Sequence, residues 1–519
     1  MPQRALGKMV VGNIIATAAA RAPDKLAFFC AGTGRRFTFR DTNERCNRLA
    51  NSLAGLGLAK GDVLAFLCSN RAEMPEIYFA LAKSGVVGIP LNYRLAPTET
   101  VKLMRAMGAR ALIFEARFEA CALHVKAQMP EVRHYVVIGA SEARVGIGYE
   151  ELLAQAVADE PLVEIDEADP YYFNLTSGTT GLPKSYVLTQ FNNSTVGPFG
   201  AAFDMTRQDV VLTVFPVFGR VGVAWILTSV MYGIANVITN FEPTEVLRLI
   251  QEEKVSILNV VPTMAAILLA SDRLAESDLS SLRALVFAGS VLPAPIREQS
   301  MASLCSNIYE YYGMQETGLL VHSTPQDREV HPDSIGRVSL FSEVKVVDPS
   351  GREVPVGEIG EIVGRSPSAV TSYFQNPEKS TETFRNGWLH TGDLGSFDTD
   401  GFLYIRGRKK DMIITGGQNV HAAEVEETLL RHQAIADCAV IGLPDPVWGE
   451  QVVAVIVAKP GASVDFDALK AFCREQIAGF KTPKKWFIHR DVLPRTATGK
   501  VQKFLLAEQY ANGAPSDPT

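Results

Sequence analysis

Ten residues, Leu175-Thr176-Ser177-Gly178-Thr179-Thr180-Gly181-Leu182-Pro183-Lys184, bring hydroxyls, glycines and a lysine together. Glycine lets a backbone turn tightly, and successive N–H groups in such a turn form a concavity that binds anions. The Ser and Thr hydroxyls add donors, and Lys184 adds a full positive charge. This is the equipment for holding a polyphosphate. The spacing Gly178-x-x-Gly181-x-x-Lys184 departs from a Walker A loop. A Gly/Ser/Thr run is by itself also an ordinary surface loop. Residues 171–175 ahead of it read as a buried strand, which makes the segment a strand followed by a phosphate loop.

The run resembles the phosphate-loop signature of the adenylate-forming superfamily: acyl-CoA synthetases, peptide-synthetase adenylation domains and luciferases. Four further segments resemble that family in the same order along the chain. They are Tyr311-Tyr312-Gly313-Met314-Gln315-Glu316-Thr317-Gly318, Trp388-Leu389-His390-Thr391-Gly392-Asp393, Gly407-Arg408-Lys409-Lys410-Asp411 with Gly416-Gly417, and Pro494-Arg495-Thr496-Ala497-Thr498-Gly499-Lys500.

The resemblance implies roles for these positions. Thr176, Ser177, Gly178, Thr179, Thr180, Gly181 and Lys184 would hold the β- and γ-phosphates of ATP. Glu316 would hold Mg²⁺, a hard cation suited to oxygen ligands. Tyr312 would stack on adenine beside Gly313, with Gly289, Ser290 and Val291 lining the base. Asp393 and Arg408 would clamp the ribose. Lys500 would reach the carboxylate and α-phosphate during adenylation, a task that suits a flexible point charge. Lys410 falls at the family's hinge. The loop with Gly416 and Gly417 resembles the segment that guides the pantetheine arm of coenzyme A. Lys481, Lys484 and Lys485 are either contacts for CoA phosphates or a solvated basic face. Each residue also has a plainer reading: Tyr312 as a core aromatic, Glu316 as a helix cap, Lys500 as a solvated tail lysine.

The implied reaction is carboxylate + ATP + CoA → acyl-CoA + AMP + pyrophosphate. The acyl-adenylate is itself the activated species, so no covalent nucleophile is needed. G-x-S-x-G, H-E-x-x-H and C-x-x-C are accordingly absent. The chain departs from the family in three places. Gln315 stands where Thr is usual, Ser185 and Gln190 stand where Gly and His are usual, and the acyl-pocket segment runs Pro216-Val217-Phe218-Gly219-Arg220 without its usual His. An unpaired buried charge is costly, so Arg220 is expected to point outward and leave space at Gly219 for a bulky apolar acyl group. Two other readings stand beside the CoA ligase: an adenylating enzyme that loads a carrier-protein thiol, and an impaired nucleotide-binding homologue. The acid (aliphatic, aryl or dicarboxylic) is left open.

The elements that must position these residues are α/β. Helical periods at 43–56 and 72–84 alternate with apolar strands at 63–67 and 86–90, which implies layers around a largely parallel sheet. The apolar stretch 210–238 is broken by Pro216, Gly219, Arg220, Gly222 and Gly233, so it reads as a buried strand–helix pair and not as a membrane span. From about residue 335, short antiparallel strands suggest a small β-barrel-like subdomain. Residues 409–519 form a smaller mobile α+β lid after an N-terminal adenylation domain of residues 1–408. With 519 residues the chain is too long for one core. It is 47% hydrophobic and 21% charged, with net charge −7, so no attraction to nucleic acid is expected. Seven scattered cysteines and the lack of a signal-peptide pattern point to a cytoplasmic protein. A homodimer is compatible with all of this.

Overall fold

The computed structural model describes residues 7–142, 144–176, 184–416, 418–495 and 499–511. Among them, strands form four sheets, and two of these are the largely parallel kind. One has nine strands and runs, edge to edge, Arg337–Val338, Gly318–Ser323, Ile308–Met314, Ala284–Phe287, Ile257–Val260, Val210–Thr213, Ala235–Ile238, Leu26–Cys30, Arg35–Thr38. The other has seven, with Val63–Leu67 between Val87–Pro90 and Ala109–Glu115. The sequence suggested one such sheet. Periodicity reports how a segment folds and not which strand it pairs with, so the split was not visible in it.

A single core unites the two sheets. Phe28 of one sheet and Phe66 of the other pack on the helices Val11–Arg21, Phe39–Gly55, Glu73–Ser84 and Arg220–Tyr232. The helix Phe39–Gly55 starts four residues before the expected position because Thr38 caps it. The Thr38 hydroxyl accepts from Asp41 N at 3.1 Å, and the Asp41 carboxylate accepts from Thr38 N at 2.9 Å. Every residue of Glu73–Ser84 is buried, including its charged ones. They are paired: Arg71 with Glu73 at 2.7 Å, Arg45 with Glu76 at 2.6 Å, Lys83 with Glu160 at 2.8 Å. Burial without partners would be prohibitive.

The third sheet is built on Glu343–Val347, Gly360–Arg365, Trp388–Phe397 and Leu403–Arg408, with antiparallel pairing. It is the expected small β unit, and its last strand leads into the turn Lys409–Asp411. A fourth sheet follows, with Met412–Thr415, Ile435–Asp445, Gly449–Ala458 and Lys485–Ile488 packed on the helices Ala422–Leu430 and Phe466–Gln476. Among the described residues no helix is long and apolar enough to cross a membrane. The segment Val210–Ile238 is a strand, the helix Arg220–Tyr232 and a second strand, as its glycines and proline suggested.

Candidate active site

Four parallel neighbours of the nine-stranded sheet (Val210–Thr213, Ile257–Val260, Ala284–Phe287, Ile308–Met314) all end at one cleft. Ligands of open α/β sheets bind beyond the carboxyl ends of the strands. The loops that follow carry Phe218-Gly219-Arg220, Gly289-Ser290-Val291 and Gln315-Glu316, and all of them line the cleft. Gly289 takes φ +86°, a left-handed value that favours glycine, and Val291 is 57% exposed. Phe218 packs edge-on against Tyr93, with ring centres 5.3 Å apart.

The strands Ile308–Met314 and Gly318–Ser323 form a tight hairpin with a register shift at Tyr312/Gly313. A Cβ at Gly313 would lie 1.9 Å from the Gly318 carbonyl oxygen, so this position admits only glycine. The hairpin turn holds Gln315 and Glu316 and is pinned from below. The Tyr186 hydroxyl and the Arg220 guanidinium both donate to the Gln315 carbonyl, the latter at 2.5 Å. Asn174 Nδ2 donates to Gln315 Oε1 at 2.9 Å, and Val370 N donates to the Glu316 carbonyl at 2.9 Å. Glu316 is buried, and the Tyr373 hydroxyl donates to its Oε1 at 2.9 Å. Burial and the Glu316 charge push the Tyr373 phenol up, so it stays a donor.

Arg220 does not point outward. It is buried at the first turn of the helix Arg220–Tyr232, and its second amino group donates to the Ser368 carbonyl. The expectation rested on the cost of an unpaired charge. Two backbone carbonyls supply the partners, so the cost does not arise, and those donors are not free for an acid. Gln190 is also explained. It is fully buried, accepts from Val11 N at 3.0 Å and donates to the Ala82 carbonyl, tying the first helix to the core.

The roof comes from the third sheet. Asp393 and Arg408 are direct cross-strand partners, and Arg408 Nε lies 3.1 Å from Asp393 Oδ1. Tyr312 donates its hydroxyl to Asp393 Oδ2 at 2.7 Å. The carboxylate is therefore fixed by two partners at the mouth of the cleft. Lys410 lines the same cleft from the turn Lys409–Asp411.

The C-terminal residues close the far wall. Gly499 sits against the loop after Ile257–Val260: a Cβ there would be 3.6 Å from Val261 Cγ2 and 3.7 Å from Thr263 Oγ1. Lys500 follows it into the cleft. Water reaches this side chain while protein crowds it at longer range. That crowding, with the Arg408 and Lys410 charges, lowers its pKa to about 8 against the opposing pull of Asp393 and Glu316. The loop with Gly416 lies elsewhere. Gly416 N donates to the Trp448 carbonyl at 2.8 Å, and Gly416 is not among the cleft residues. Lys481 is bound to Glu424 at 2.7 Å, and Lys484 lies over the Trp448 ring at 4.0 Å.

Thr176 and Lys184 are register partners at the ends of Pro170–Thr176 and Lys184–Thr189. Ser177, Gly178, Thr179, Thr180 and Gly181 lie outside the described residues, as does Gly417. Sequence reasoning missed Tyr373, Tyr186 and Asn174 as supports of the turn. They come from distant segments and carry no local motif; a buried polar residue in a strand, such as Asn174, was the available signal.

Fold and cleft together define an adenylate-forming enzyme in which a C-terminal lysine faces a large cleft. The chain belongs to this family: the AMP-binding enzyme model matches residues 15–374, and the AMP-binding enzyme C-terminal domain model matches residues 424–500. It is 32% identical over 508 residues to a long-chain-fatty-acid–CoA ligase of Mycobacterium tuberculosis, covering 97% of this chain and 99% of that one. It is 34% identical over 480 residues to a feruloyl-CoA synthase of an Amycolatopsis species, covering 91% and 93%. Among solved structures, an anthranilate CoA ligase in complex with anthranoyl-AMP superposes with TM-score 0.89 at 30% identity, covering 96% of this chain and 97% of that one.

Proposed function

We infer that this protein is an AMP-forming carboxylate–CoA ligase. The observation that carries the reading is the convergence of Lys500, Glu316 and the Asp393–Arg408 pair on one cleft, from three separate parts of the chain. In the first half-reaction a carboxylate oxygen attacks the α-phosphorus of ATP. A new O–P bond forms, the bond to the β-phosphate oxygen breaks, and pyrophosphate leaves. Two anions must meet, so charge must be cancelled and geometry held. Lys500 supplies a mobile positive charge at the reacting centre. Tyr312 forms a wall for adenine, and Asp393 with Arg408 receives the ribose hydroxyls. Lys184 and the loop before it take the outer phosphates. In the second half-reaction the CoA sulfur attacks the acyl carbon, its proton passes to solvent, and AMP leaves.

Glu316 fits a magnesium site. It is buried, and one oxygen is fixed by Tyr373. Among the described residues no cluster of three or more His, Cys, Asp or Glu surrounds it. Magnesium commonly takes one or two carboxylates and completes its shell with phosphate oxygens and water. Bound there, it would neutralise phosphate charge. We place the hinge at Lys410 and the domain boundary at 408/409, a reading supported by the turn Lys409–Asp411 between the third and fourth sheets. The pose fits adenylation: Lys500 faces the cleft and Gly416 faces away.

The experiment is AMP release from ATP with a panel of aliphatic, aryl and dicarboxylic acids, with CoA or a carrier-protein thiol as acceptor. The reading expects AMP and acyl-CoA with at least one acid. AMP formed only with the carrier would replace CoA as the acceptor. ATP binding without AMP formation for any acid would favour the impaired homologue.

A further inference from the structure

Residues Ser339-Leu340-Phe341-Ser342 form a four-residue turn closed by Ser342 N donating to the Ser339 carbonyl at 3.0 Å. Its third position, Phe341, takes φ +62°. That position of such a turn asks for glycine, because a Cβ crowds the backbone there, and an aromatic is a true outlier. The turn cannot relax. Ser339 N donates to the Leu320 carbonyl at 2.9 Å, the Ser342 hydroxyl donates to the Leu319 carbonyl at 2.9 Å, and the Ser339 hydroxyl meets His322 Nδ1 at 2.8 Å. Both ends are thus stitched to the strand that follows Glu316. The strained residue gains little burial in return: Phe341 is 75% exposed and Leu340 is 62% exposed. Both line the cleft. Leu319, under the turn, packs on the cluster of Phe199 and Tyr311, as does Val221 beside Arg220. These side chains line the cleft as well. They give the cleft an apolar stretch that it shares with Arg220 and Glu316, and Leu340 and Phe341 line the same cleft with their side chains largely exposed.

Backbone strain held in place by surrounding bonds, on a residue that stays three-quarters exposed, points to a functional role. We propose that Phe341, with Leu340, is a specificity-determining gate that closes over the acyl group of an apolar acid, one with a ring or chain large enough to reach from the carboxylate to the rim. The inference rests on the CoA-ligase reading and names the class of acid for it. A small polar acid such as acetate leaves the rim uncovered and draws nothing from the gate. Burial of two large side chains against the acyl group supplies affinity that scales with apolar area.

The test is Phe341→Gly, read by binding and turnover. Inert adenylates that carry an acetyl, benzoyl or decanoyl group on a sulfamoyl linker report acyl contact without chemistry. Wild type should bind the benzoyl or decanoyl form at least ~10-fold more tightly than the acetyl form, and Phe341→Gly should lose most of that difference. AMP affinity and the KM for ATP should not change. The melting temperature should stay level or rise, because glycine accepts φ +62° without strain. A destabilised variant that loses all ligands equally would make Phe341 structural and overturn the gate. Unchanged discrimination would overturn it too, as would a change in oligomeric state with Phe341→Gly, which would make the rim a contact between copies. Wild-type protein that binds neither AMP nor any adenylate would overturn the ligase reading and the gate with it.

Discussion

Lys500 illustrates how surroundings set a residue's chemistry. Crowding in the cleft brings its pKa from 10.5 to about 8. Between those two values the unfolded chain keeps a proton that the native state has released, so this group's contribution to stability rises with pH across that window. Its usefulness runs the other way. If adenylation uses the charged amine as proposed, kcat/KM for ATP, which reports the free enzyme, should fall as pH rises through about 8. Lys500→Ala should remove that limb together with nearly all adenylate formation, while CoA transfer from a supplied acyl-adenylate survives. Equal loss of both half-reactions would show that the lysine serves both steps or is structural. For the metal, Glu316→Gln should weaken Mg²⁺-dependent ATP binding on the order of 10-fold or more, because a neutral amide is a poorer ligand for a hard dication. Calorimetric titration of ATP with and without Mg²⁺ reads this directly, and a wild-type Mg²⁺ dependence would withdraw the assignment.

At the scale of elements, the hairpin turn of Gln315 and Glu316 is a short loop held by other parts of the fold. Arg220 joins it to the start of the helix Arg220–Tyr232 and to Ser368. Arg220→Ala would leave two buried carbonyls with fewer donors, at a cost of about 2 kcal/mol in stability. It should also raise the KM for Mg·ATP more than the KM for the acid, since the turn carries Glu316. Arg220→Lys restores charge but not the two-pronged geometry and should recover the function only in part. A selective loss of dicarboxylic acids would instead assign Arg220 to the acyl group. Denaturant melts and a two-substrate kinetic analysis separate these outcomes.

Over the whole molecule, one cleft must serve two reactions with different needs. Gly499 lies against Val261 and Thr263, and Lys500 faces the cleft. Gly416 is packed on Trp448 outside it. On the proposed roles both loops must reach this cleft, and in the present arrangement only Lys500 does. Rotation about the turn Lys409–Asp411 is the economical solution. Lys410→Pro fixes φ near −65° and removes an N–H. If the protein rests in the adenylating pose proposed above, the substitution should slow CoA transfer by at least ~10-fold and leave adenylation nearer to normal. Rapid-quench measurement of the two half-reactions tests this, and unchanged rates in a folded variant would move the hinge elsewhere.

What is local is legible in the chain's own order of residues. The hairpin of Gln315 and Glu316 and the C-terminal lysine segment each depend on a few neighbouring residues, and glycines such as Gly313 are dictated by backbone contact within the motif. Strand and helix periods follow from burial of one face, and most of them stand where the pattern put them. What tertiary structure decided is what long-range contact decides. Two largely parallel sheets, not one, came from strand pairing, which periodicity does not encode. Arg220 turned inward because carbonyls from residues 315 and 368, far along the chain, were there to receive it. Gln190 became a core tie because Val11 N and the Ala82 carbonyl lie beside it. The strain at Phe341 is likewise invisible in sequence: a phenylalanine in a polar turn reads as an ordinary loop residue until its φ and its place on the cleft rim are known.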